Sequence, residues 1–538
     1  MKAKKIMSIL LAAAMLVPSL TAYASESETA DPFGKYEEGI TLTTVRSMNS
    51  TVKFDASNPD MASLTENVWY NAYQEQLGIT LEYLWTPTDE QYTEKWNAAL
   101  ATGDIPDFAI VDAATFGQLV EADMVADMTD IFEEYASDLY KEYNEIDNRI
   151  GYEYQTYDGR LLGLPFVGNS SDICNLMFIR QDWLETVGKE VPTTIEELKD
   201  VMRAFQEANL GGEETLGFTA CKNFYAGTNS IDAIFESFGG YYNIWVEDGE
   251  GGLEYSSTTD EVRNALLELQ SMYQEGFIRQ DFASIDSTAA AEDVAAGKVG
   301  IVFGKYWTTL TTVGESIKND ETADWICVDV PTVDGSPYTT AAQDATPTQF
   351  IFVNKDCEHP EAVVKMLNLL YKLSKEDEKK YGTTDDGVEV FKYAVGQGSG
   401  KANANVYISR AICKALETGD MSDVEEVQCE LVYEDVVAGM EGDRDKYCYT
   451  MVFGIGSAYD KVSQLMDEDR IVTSAYKSFD TETMLTKFED LKTTLDAAMQ
   501  KVIMGEDISV YDKAVENWYS TGGETMTQET SEWFAANQ

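Results

Sequence analysis

The chain has 538 residues, of which 44% are hydrophobic and 11% aromatic, and a formal net charge of −56 at pH 7. This length is enough for two or more structural units with large cores, and the aromatic content argues against disorder. A negative field of this size repels nucleic acid and anionic membranes, so it excludes either as the main binding partner.

The first 24 residues have the pattern of a secretory signal peptide. Three lysines precede an apolar stretch from Ile6 to about Val17, and Ala22-Tyr23-Ala24 fits a cleavage site. Removing this segment with its three lysines takes the net charge from −56 to −59. No cysteine follows for lipid attachment, because the first one is Cys174. We therefore predict a secreted chain without a lipid anchor.

Predicted strands and helices alternate over the first part of the mature chain. Apolar alternation predicts strands at Ile40–Val45, Ile79–Trp85 and Phe108–Val111, and helical spacing predicts helices at Leu64–Leu77 and Tyr92–Ala101. This order argues for an α/β lobe with a mostly parallel sheet.

A second block of alternating elements begins near Pro165. Capping-box patterns at Thr193/Glu196 or Thr194/Glu197, and at Thr258/Glu261, predict the starts of two helices. Strands are predicted at Val299–Phe303, Ile326–Val330 and Gln349–Val353, and a helix from Pro360 to about Lys372. From about residue 385 helices dominate, with an apolar stripe from Leu485 to Val502.

Few residues could support catalysis or hold a cofactor. The single histidine, His359, precedes a predicted helix start, which argues against serine or cysteine triads and multi-histidine metal sites. Gly398-Ser399-Gly400-Lys401 lacks the spacing and the Ser or Thr of a phosphate loop. The seven cysteines form no C-x-x-C pair and are expected to be buried thiols. No cofactor or metal is expected, while the 95 acidic residues leave a glycosidase open as an alternative.

Several aromatic residues fall at predicted strand ends or beside glycines. They are Trp85, Tyr225, Tyr241, Tyr242, Tyr306 and Trp307. Flat rings match the apolar C–H faces of sugars, and polar side chains match the hydroxyls. Most aromatic residues belong to cores, which is the alternative for each of these. The site interpretation is favoured for Trp307, because it follows a predicted strand and the turn at Gly304.

Five segments stand out by their order and spacing. They are Ala101–Asp107 (ATGDIPD), Asp158–Pro165 (DGRLLGLP), Phe178–Thr194, Gly297–Trp307 and Trp518–Trp533. Together they resemble family 1 extracellular solute-binding proteins, the maltose-binding-protein-like, carbohydrate-capturing components of ATP-driven importers. The family's usual lipid-anchoring cysteine is missing. Gly211-Gly212-Glu213-Glu214 stands where many long members have a calcium loop, so no calcium is expected there.

The resemblance implies a two-lobed α/β fold of the periplasmic-binding-protein type II, with ligand in the cleft between the lobes. The first lobe would comprise residues 36–168 and 338–400, and the second lobe residues 169–337. A helical C-terminal region, 401–538, would pack across both. The chain would cross between lobes near Pro165–Asp172 and near Pro331–Thr340, and the lobes would close on the ligand.

The resemblance also suggests which residues contact the ligand. Asp112 would bind a sugar hydroxyl, Trp307 would be the main stacking ring, and Tyr225 a second aromatic contact. Loop position or aromatic character adds Arg46, Asn49, Trp85, Asn169, Asp172, Tyr241 and Tyr306.

We therefore predict an extracellular, monomeric solute-binding protein that captures an oligosaccharide and delivers it to the permease subunits of an ABC transporter. Neither enzymatic activity nor nucleic-acid binding is expected. The alternatives are a secreted glycoside hydrolase, a carbohydrate-binding module, and a binding protein for a peptide or another polar solute.

Overall fold

The computed structural model of the protein describes residues 30–48, 52–165, 172–342, 349–384, 388–396 and 401–537. The predicted signal peptide, Asn49, Asn169 and the glycine-rich stretch at 398–400 lie outside these ranges. No helix within them combines the length and the apolar character needed to cross a membrane.

The N-terminal part alternates strands and helices, as predicted. Its elements are β1 (Ile40–Thr44), β2 (Met61–Ser63), β3 (Glu66–Asn67), α1 (Val68–Ala72), β4 (Ile79–Tyr83), α2 (Asp89–Thr102), β5 (Phe108–Asp112), α3 (Ala113–Glu121), α4 (Thr129–Tyr135), α5 (Asp138–Glu153), β6 (Thr156–Tyr157), β7 (Arg160–Leu161) and β8 (Gly163–Leu164). The predicted helix at Leu64–Leu77 starts later, because β2 and β3 pair and the Asn67 side chain caps α1.

A turn of π-helix at Tyr73–Leu77 continues α1 and ends at Gly78. Gly78 has φ of 71°, and a Cβ there would lie 2.3 Å from the carbonyl oxygen of Tyr36. Only glycine tolerates both the left-handed backbone and this close approach. The residue therefore ends the helix at the point where β4 begins.

The middle part repeats the alternation. It contains β9 (Leu176–Arg180), α6 (Gln181–Val187), α7 (Ile195–Glu207), α8 (Asp232–Glu236), β10 (Trp245–Glu247), β11 (Leu253–Tyr255), α9 (Asp260–Gln274), α10 (Ser287–Ala295), β12 (Ile301–Gly304), α11 (Thr312–Asn319), β13 (Trp325–Val328) and β14 (Thr340–Ala341). Of the two overlapping capping boxes predicted for α7, the structure forms the one between Thr194 and Glu197. The box predicted at Thr258 is wrong, because Thr259 occupies the N-cap of α9 without a side-chain capping bond.

The chain then returns to the N-terminal part and ends in helices. The returning elements are β15 (Gln349–Val353), α12 (Pro360–Glu376) and α13 (Glu378–Tyr381). The C-terminal elements are α14 (Ala404–Thr418), α15 (Ser422–Glu426), α16 (Glu430–Met440), α17 (Tyr447–Phe453), α18 (Ala458–Asp467), β16 (Ile471–Val472), α19 (Glu482–Ile503), α20 (Ser509–Trp518) and α21 (Glu524–Asn537).

The sheets are mixed, so the prediction of a mostly parallel sheet is wrong. β1 and β4 are parallel, but β15 runs antiparallel to both β5 and β8. In the second lobe β9 lies between two antiparallel partners, β12 and β13. Between β8 and β15 the chain passes through the second lobe. β15 is therefore not joined to its neighbours by a crossover helix, which is the connection that makes neighbouring strands parallel.

Both faces of the first-lobe sheet are buried. Along β15, Ile351 and Val353 belong to the core that includes α12, whereas Phe350 and Phe352 belong to the core on the opposite face. This alternation follows from the two-residue period of a strand. The first lobe therefore has helices on both sides of its sheet, which is the α/β arrangement.

The C-terminal helices share their largest core with the second lobe. Leu495 and Met499 of α19, with Trp518 of α20, are buried in the same cluster as β9, β12 and β13. Phe479 makes a contact with the first lobe, where its ring packs edge-on against Phe116 at 5.1 Å between centroids. The boundaries at 168, 337 and 400 stay a prediction.

All seven cysteines lie in the described ranges, and none forms a disulfide. Five are buried, and Cys413 and Cys448 are half-buried.

Candidate functional site

A cavity of about 380 Å³ lies in the first lobe, at the carboxyl ends of β1, β4 and β5. Its lining residues are Thr44, Val45, Arg46, Ser47, Tyr83, Tyr92, Thr93, Phe108, Ile110, Val111, Asp112, Gln349, Ala394 and Val395. Ligands of open α/β sheets bind outside the carboxyl ends of the strands, which is where this cavity lies. Two of the predicted ligand contacts, Arg46 and Asp112, are among these residues.

Arg46 joins the end of β1 to the segment that follows α13. Its Nη1 donates to the carbonyl of Tyr393 at 3.3 Å, and its Nη2 donates to the carbonyl of Lys392. Nε is buried and has no hydrogen-bond partner among the described residues. Two of the five N–H donors of this guanidinium therefore bond to the protein's own backbone.

Asp112 ends β5 and begins α3. Its Oδ1 accepts a hydrogen bond from the Thr115 backbone N–H at 2.7 Å, which is an N-cap interaction. The residue is exposed to solvent. Gln349, which also lines the cavity, is its partner in the β5–β15 register. A carboxylate and an amide thus meet at the cavity, where both can bond to hydroxyl groups.

Aromatic rings support the cavity wall. The Tyr92 hydroxyl donates to the carbonyl of Ile110 at 2.8 Å, which fixes that ring at the cavity. Trp85 packs edge-on against Tyr92 at 5.5 Å and against Trp96 at 5.5 Å. Trp85, a predicted ligand contact, is half-buried and is not among the residues that line the cavity, whereas Tyr83 at the end of β4 is. Its contact with a ligand stays a prediction.

Trp307 and Tyr306 lie in a short 3-10 helix directly after β12. The two rings are perpendicular, with 5.2 Å between their centroids, and both are half-buried. Gly227 has φ of 74°, and a Cβ on it would lie 2.7 Å from the Trp307 ring. Only glycine leaves room for the indole at this place. The Tyr306 ring also packs against Tyr459 at 4.6 Å.

Lys305 connects this 3-10 helix to the interior of the second lobe. Its side chain is fully buried, and its Nζ lies 4.6 Å from the centre of the Tyr225 ring. The same Nζ donates to Oδ1 of Asn175 at 3.0 Å. Tyr225 also borders a second cavity, of about 290 Å³, beside helix α19.

Two buried carboxylates face this lysine. Asn175 donates from Nδ2 to Oδ2 of Asp232 at 2.9 Å. Burial raises the pKa of Asp232, against the lowering effect of Lys305. Burial, followed by the charge of Asp232, raises the pKa of Glu236 to about 7. Two acids and one lysine in one buried group favour binding of an extra proton.

Glu236 holds the segment that leads back to the first lobe. Its Oε1 accepts from the Ala341 backbone N–H at 2.9 Å, and its Oε2 accepts from the Thr340 hydroxyl at 3.0 Å and from the Tyr338 hydroxyl. The Thr340 hydroxyl also accepts from the backbone N–H of Asn175 at 3.1 Å. Asn175, which follows the first predicted crossing, and Thr340, which ends the second, are therefore bonded to each other, and Thr340 is also bonded to Glu236.

Comparison with known proteins identifies the family. A family model described as "bacterial extracellular solute-binding protein" matches residues 55–372, which is more than half of the chain. The chain belongs to the bacterial extracellular solute-binding proteins. This confirms the family resemblance found in the sequence.

Relatives match over nearly the whole chain. Lipoprotein LipO of Bacillus subtilis (strain 168) is 24% identical over 99% of both chains. The polygalacturonan/rhamnogalacturonan-binding protein YtcQ of the same organism is 22% identical over 84% of this chain and 85% of its own. LipO is named a lipoprotein, so the predicted absence of a lipid anchor is not confirmed.

A solved structure has the same fold. The HMO-binding, ABC-transporter-associated solute-binding protein from Bifidobacterium longum infantis superposes with a TM-score of 0.60 at 16% identity, covering 92% of this chain and 98% of its own. The likeness shows the two-lobed α/β fold that was predicted.

The fold of this solute-binding protein brings most of the predicted ligand-contacting residues into two groups. Arg46 and Asp112 line the first-lobe cavity, and Trp85 packs against Tyr92, which also lines it. The second group is Tyr225, Tyr306 and Trp307, around Lys305 and Gly227. Asn49 and Asn169 lie outside the described residues.

The two remaining predicted contacts lie near the crossings. Asp172 is buried, and its backbone N–H donates to the Asn403 side chain at 3.1 Å. Burial raises the pKa of Tyr241, and a hydrogen bond with Thr339 opposes the rise. Asp172 shortly precedes Asn175 in the sequence, and Tyr241 lies close enough to Glu236 for the charge of Glu236 to raise its pKa.

Sequence reasoning missed several cavity residues and the buried group. Tyr83 lies two positions before Trp85 in the predicted strand Ile79–Trp85, so the two-residue period of a strand could have indicated Tyr83. Ala394 and Val395 come from a distant part of the chain and carry no local pattern. The same is true of Asp232 and Glu236.

Proposed function

We propose that this protein captures an oligosaccharide outside the membrane and delivers it to the permease subunits of an ABC importer. The observation that carries the proposal is the first-lobe cavity, which combines the rings of Tyr83 and Tyr92 with the polar side chains of Arg46, Asp112 and Gln349. Rings match the C–H faces of a sugar, and polar groups match its hydroxyls.

Relatives with known ligands support a carbohydrate. YtcQ is named for polygalacturonan and rhamnogalacturonan, and FusA of Streptococcus pneumoniae, 23% identical over 55% of this chain, is named a fructooligosaccharide-binding protein. Residues 55–372, which match the family, include both predicted crossings.

Trp307, Tyr306 and Tyr225 would contact the ligand from the second lobe, opposite Arg46 and Asp112 of the first. A ligand that touches both groups only when the lobes are together stabilises the closed state. The segments around Asn175 and Thr340 would act as the hinge, because Asn175 follows the first predicted crossing, Thr340 ends the second, and the two residues are bonded to each other. The protein would act as a monomer, either secreted or held at the cell surface.

The protein would release the bound sugar chemically unchanged, since no catalytic role is proposed for any residue. His359 is at the N-cap of α12 and pairs with Glu361 at 3.5 Å, away from the cavity residues. The glycoside hydrolase and the peptide-binding protein remain the competing functions.

A thermal-shift screen tests the proposal. Purified protein is mixed with equal panels of oligosaccharides and of short peptides, and hits are confirmed by calorimetry. An oligosaccharide that raises the melting temperature and binds with a stoichiometry of one supports the proposal. Stabilisation by peptides alone, or release of shorter sugars detected by chromatography, would overturn it.

A further inference from the structure

Resting on the proposed capture of an oligosaccharide, we propose that the second cavity is a subsite for an acidic sugar unit, whose carboxylate it binds beside Tyr225. This cavity of about 290 Å³ is lined by Lys222, Asn223, Phe224, Tyr225, Tyr242, Asn243, Lys492, Asp496 and Gln500. Two of these side chains are cationic and one is acidic. The lining is therefore locally positive, in a chain whose formal net charge is −56.

One face of α19 forms a wall of the cavity. Lys492, Asp496 and Gln500 follow one another at intervals of four residues, so they lie on the same side of the helix. The residues one position earlier are apolar and buried in the core of the second lobe; they are Leu491, Leu495 and Met499. Packing of this apolar stripe fixes the rotation of the helix and so directs its polar side to the cavity. The Gln500 side chain also donates to the backbone carbonyl of Lys222 at 2.7 Å, which joins the helix to the opposite wall.

The single carboxylate of the lining is neutralised within the protein. Oδ2 of Asp496 accepts from Nζ of Lys492 at 2.7 Å and from the Tyr242 hydroxyl at 2.9 Å. Burial, followed by the charge of Asp496, raises the pKa of Tyr242, so its hydroxyl keeps the proton that it donates. Oδ1 of Asp496 is buried, so a ligand in the cavity does not meet it. The positive charge of Lys222 is thus the unbalanced one.

The hydrogen-bonding groups that remain at the cavity are mostly donors. Lys222 is exposed, and none of the described residues forms an ion pair with its ammonium group. Oδ1 of Asn243 accepts from the Tyr255 hydroxyl at 2.8 Å, which leaves Nδ2 of Asn243 to donate. Lys492 uses one of its N–H groups for Asp496 and keeps the others. The ligand group that suits such a set is a negatively charged acceptor, and on a sugar a carboxylate is such a group.

The second cavity lies next to the predicted stacking ring. The segment that lines it, residues 222–225, ends two residues before Gly227, where a Cβ would lie 2.7 Å from the Trp307 ring. Two residues span at most about 7 Å. The Tyr225 ring is held in place by Nζ of Lys305, 4.6 Å from its centre. An oligosaccharide that stacks on Trp307 can therefore place a neighbouring unit in this cavity.

The negative charge of the whole chain acts on a different length scale. It slows the approach of an anion from solution, and salt screens it beyond about 10 Å at ordinary ionic strength. Inside the cavity a ligand carboxylate meets donors at contact distance, where a charge-assisted hydrogen bond is strong. Local contacts therefore decide which saccharide is preferred.

Matched ligand pairs test the subsite. Oligogalacturonides and oligoglucuronides of four to six units are compared by calorimetry with the same oligosaccharides after chemical reduction of each carboxyl group to a hydroxymethyl group. In each pair that binds, the acidic member is expected to bind about tenfold more tightly or better, since a hydrogen bond to a charged group contributes that much.

Two kinds of failure are distinguishable. If neutral members bind as tightly as their acidic partners, or if neutral saccharides of the thermal-shift panel bind while no acidic one does, the subsite is overturned and the proposed function stands. If no saccharide of any class binds, the proposed function itself fails, and the subsite with it.

Lys222→Gln tests whether the second cavity is responsible. The Lys222 side chain is exposed, so folding and the bond from Gln500 to the backbone carbonyl should be preserved. We expect the affinity for the acidic member to fall about fivefold or more and the affinity for the neutral member to stay unchanged. Lys189→Gln is the matched control, because Lys189 is an exposed lysine after α6 that lines neither cavity. An equal preference for the acidic member in wild type, Lys222→Gln and Lys189→Gln would place the carboxylate elsewhere and overturn the subsite.

Discussion

At the residue scale, Trp307 is predicted to stack on the ligand. It is half-buried, and one edge of its indole lies so close to Gly227 that a Cβ there would be 2.7 Å from the ring. Trp307→Ala should weaken saccharide binding at least tenfold, since a buried aromatic anchor contributes on the order of 2 kcal/mol. The melting temperature without ligand should change by only a few degrees. Calorimetry and thermal unfolding measure the two effects.

Trp325 provides the matched control. It is 2% exposed, within β13 of the second-lobe core, and its indole N–H donates to Ser316. Trp325→Ala should cost about 3–5 kcal/mol of folding free energy. If Trp307→Ala destabilises the protein to the same extent, or leaves binding unchanged, Trp307 is a core residue and the second-lobe contact is misplaced.

Glu236 should make stability depend on pH near neutrality. Its pKa is raised from an ordinary 4.5 to about 7, so the folded protein holds this proton to a higher pH than the unfolded chain. The free energy of unfolding therefore falls as pH rises from 4.5 through 7. The raised pKa of Asp232 contributes in the same direction.

Glu236→Gln isolates this effect from the general repulsion among acidic residues. We expect the wild-type melting temperature to fall between pH 5 and pH 8, and the fall to be smaller in Glu236→Gln. Glu190→Gln, at an exposed position, should keep the wild-type pH profile. Identical profiles for all three proteins would contradict the account of the buried group.

At the scale of elements, the C-terminal helices are expected to contribute to the stability of the second lobe. Trp518 of α20 is fully buried and stacks on Tyr255 with 4.4 Å between ring centroids. Trp518→Ala should lower the free energy of unfolding by about 3–5 kcal/mol, measured by urea denaturation. Leu431→Ala, at a side chain with 77% exposure, should change it little. Equal stability of the two variants would show that the tail packs independently.

Elements whose ends are set locally were predictable from the sequence. β15 was predicted with its observed bounds, and the start of α12 follows from Pro360. α1 was misplaced at its start because pairing of β2 with β3 depends on residues that have little strand pattern of their own. The antiparallel direction of β15 depends on the path of the chain between lobes, which no local pattern encodes.

The candidate site also contains residues that the sequence could predict and residues that it could not. Arg46, Asp112 and Trp307 follow predicted strands, so their positions could be inferred from local order. Lys305, Asn175 and Glu236 form one buried group in the folded protein. Lys305 and Asn175 are hydrogen-bonded to each other, although they lie 130 residues apart in the sequence. Burial and pairing of charges arise only from tertiary contacts, so sequence spacing gave no indication of this group.

At the scale of the whole molecule, we propose that the two lobes and the segments around Asn175 and Thr340 act together to capture a solute. One group of predicted contacts lies at the carboxyl ends of first-lobe strands, and the other follows β12 of the second lobe. Glu236 accepts hydrogen bonds from Thr340 and Ala341, which lie at the second predicted crossing. In this proposal the protein would bind a solute by closing and return it by opening, with no bond made or broken.

Native mass spectrometry of the protein incubated with its best oligosaccharide tests this claim most directly. The account predicts one added mass per chain, equal to that of the intact oligosaccharide. The same mass should be recovered after denaturation, even following prolonged incubation. A complex that holds shorter fragments, or the absence of any saccharide adduct across the panel, would contradict it.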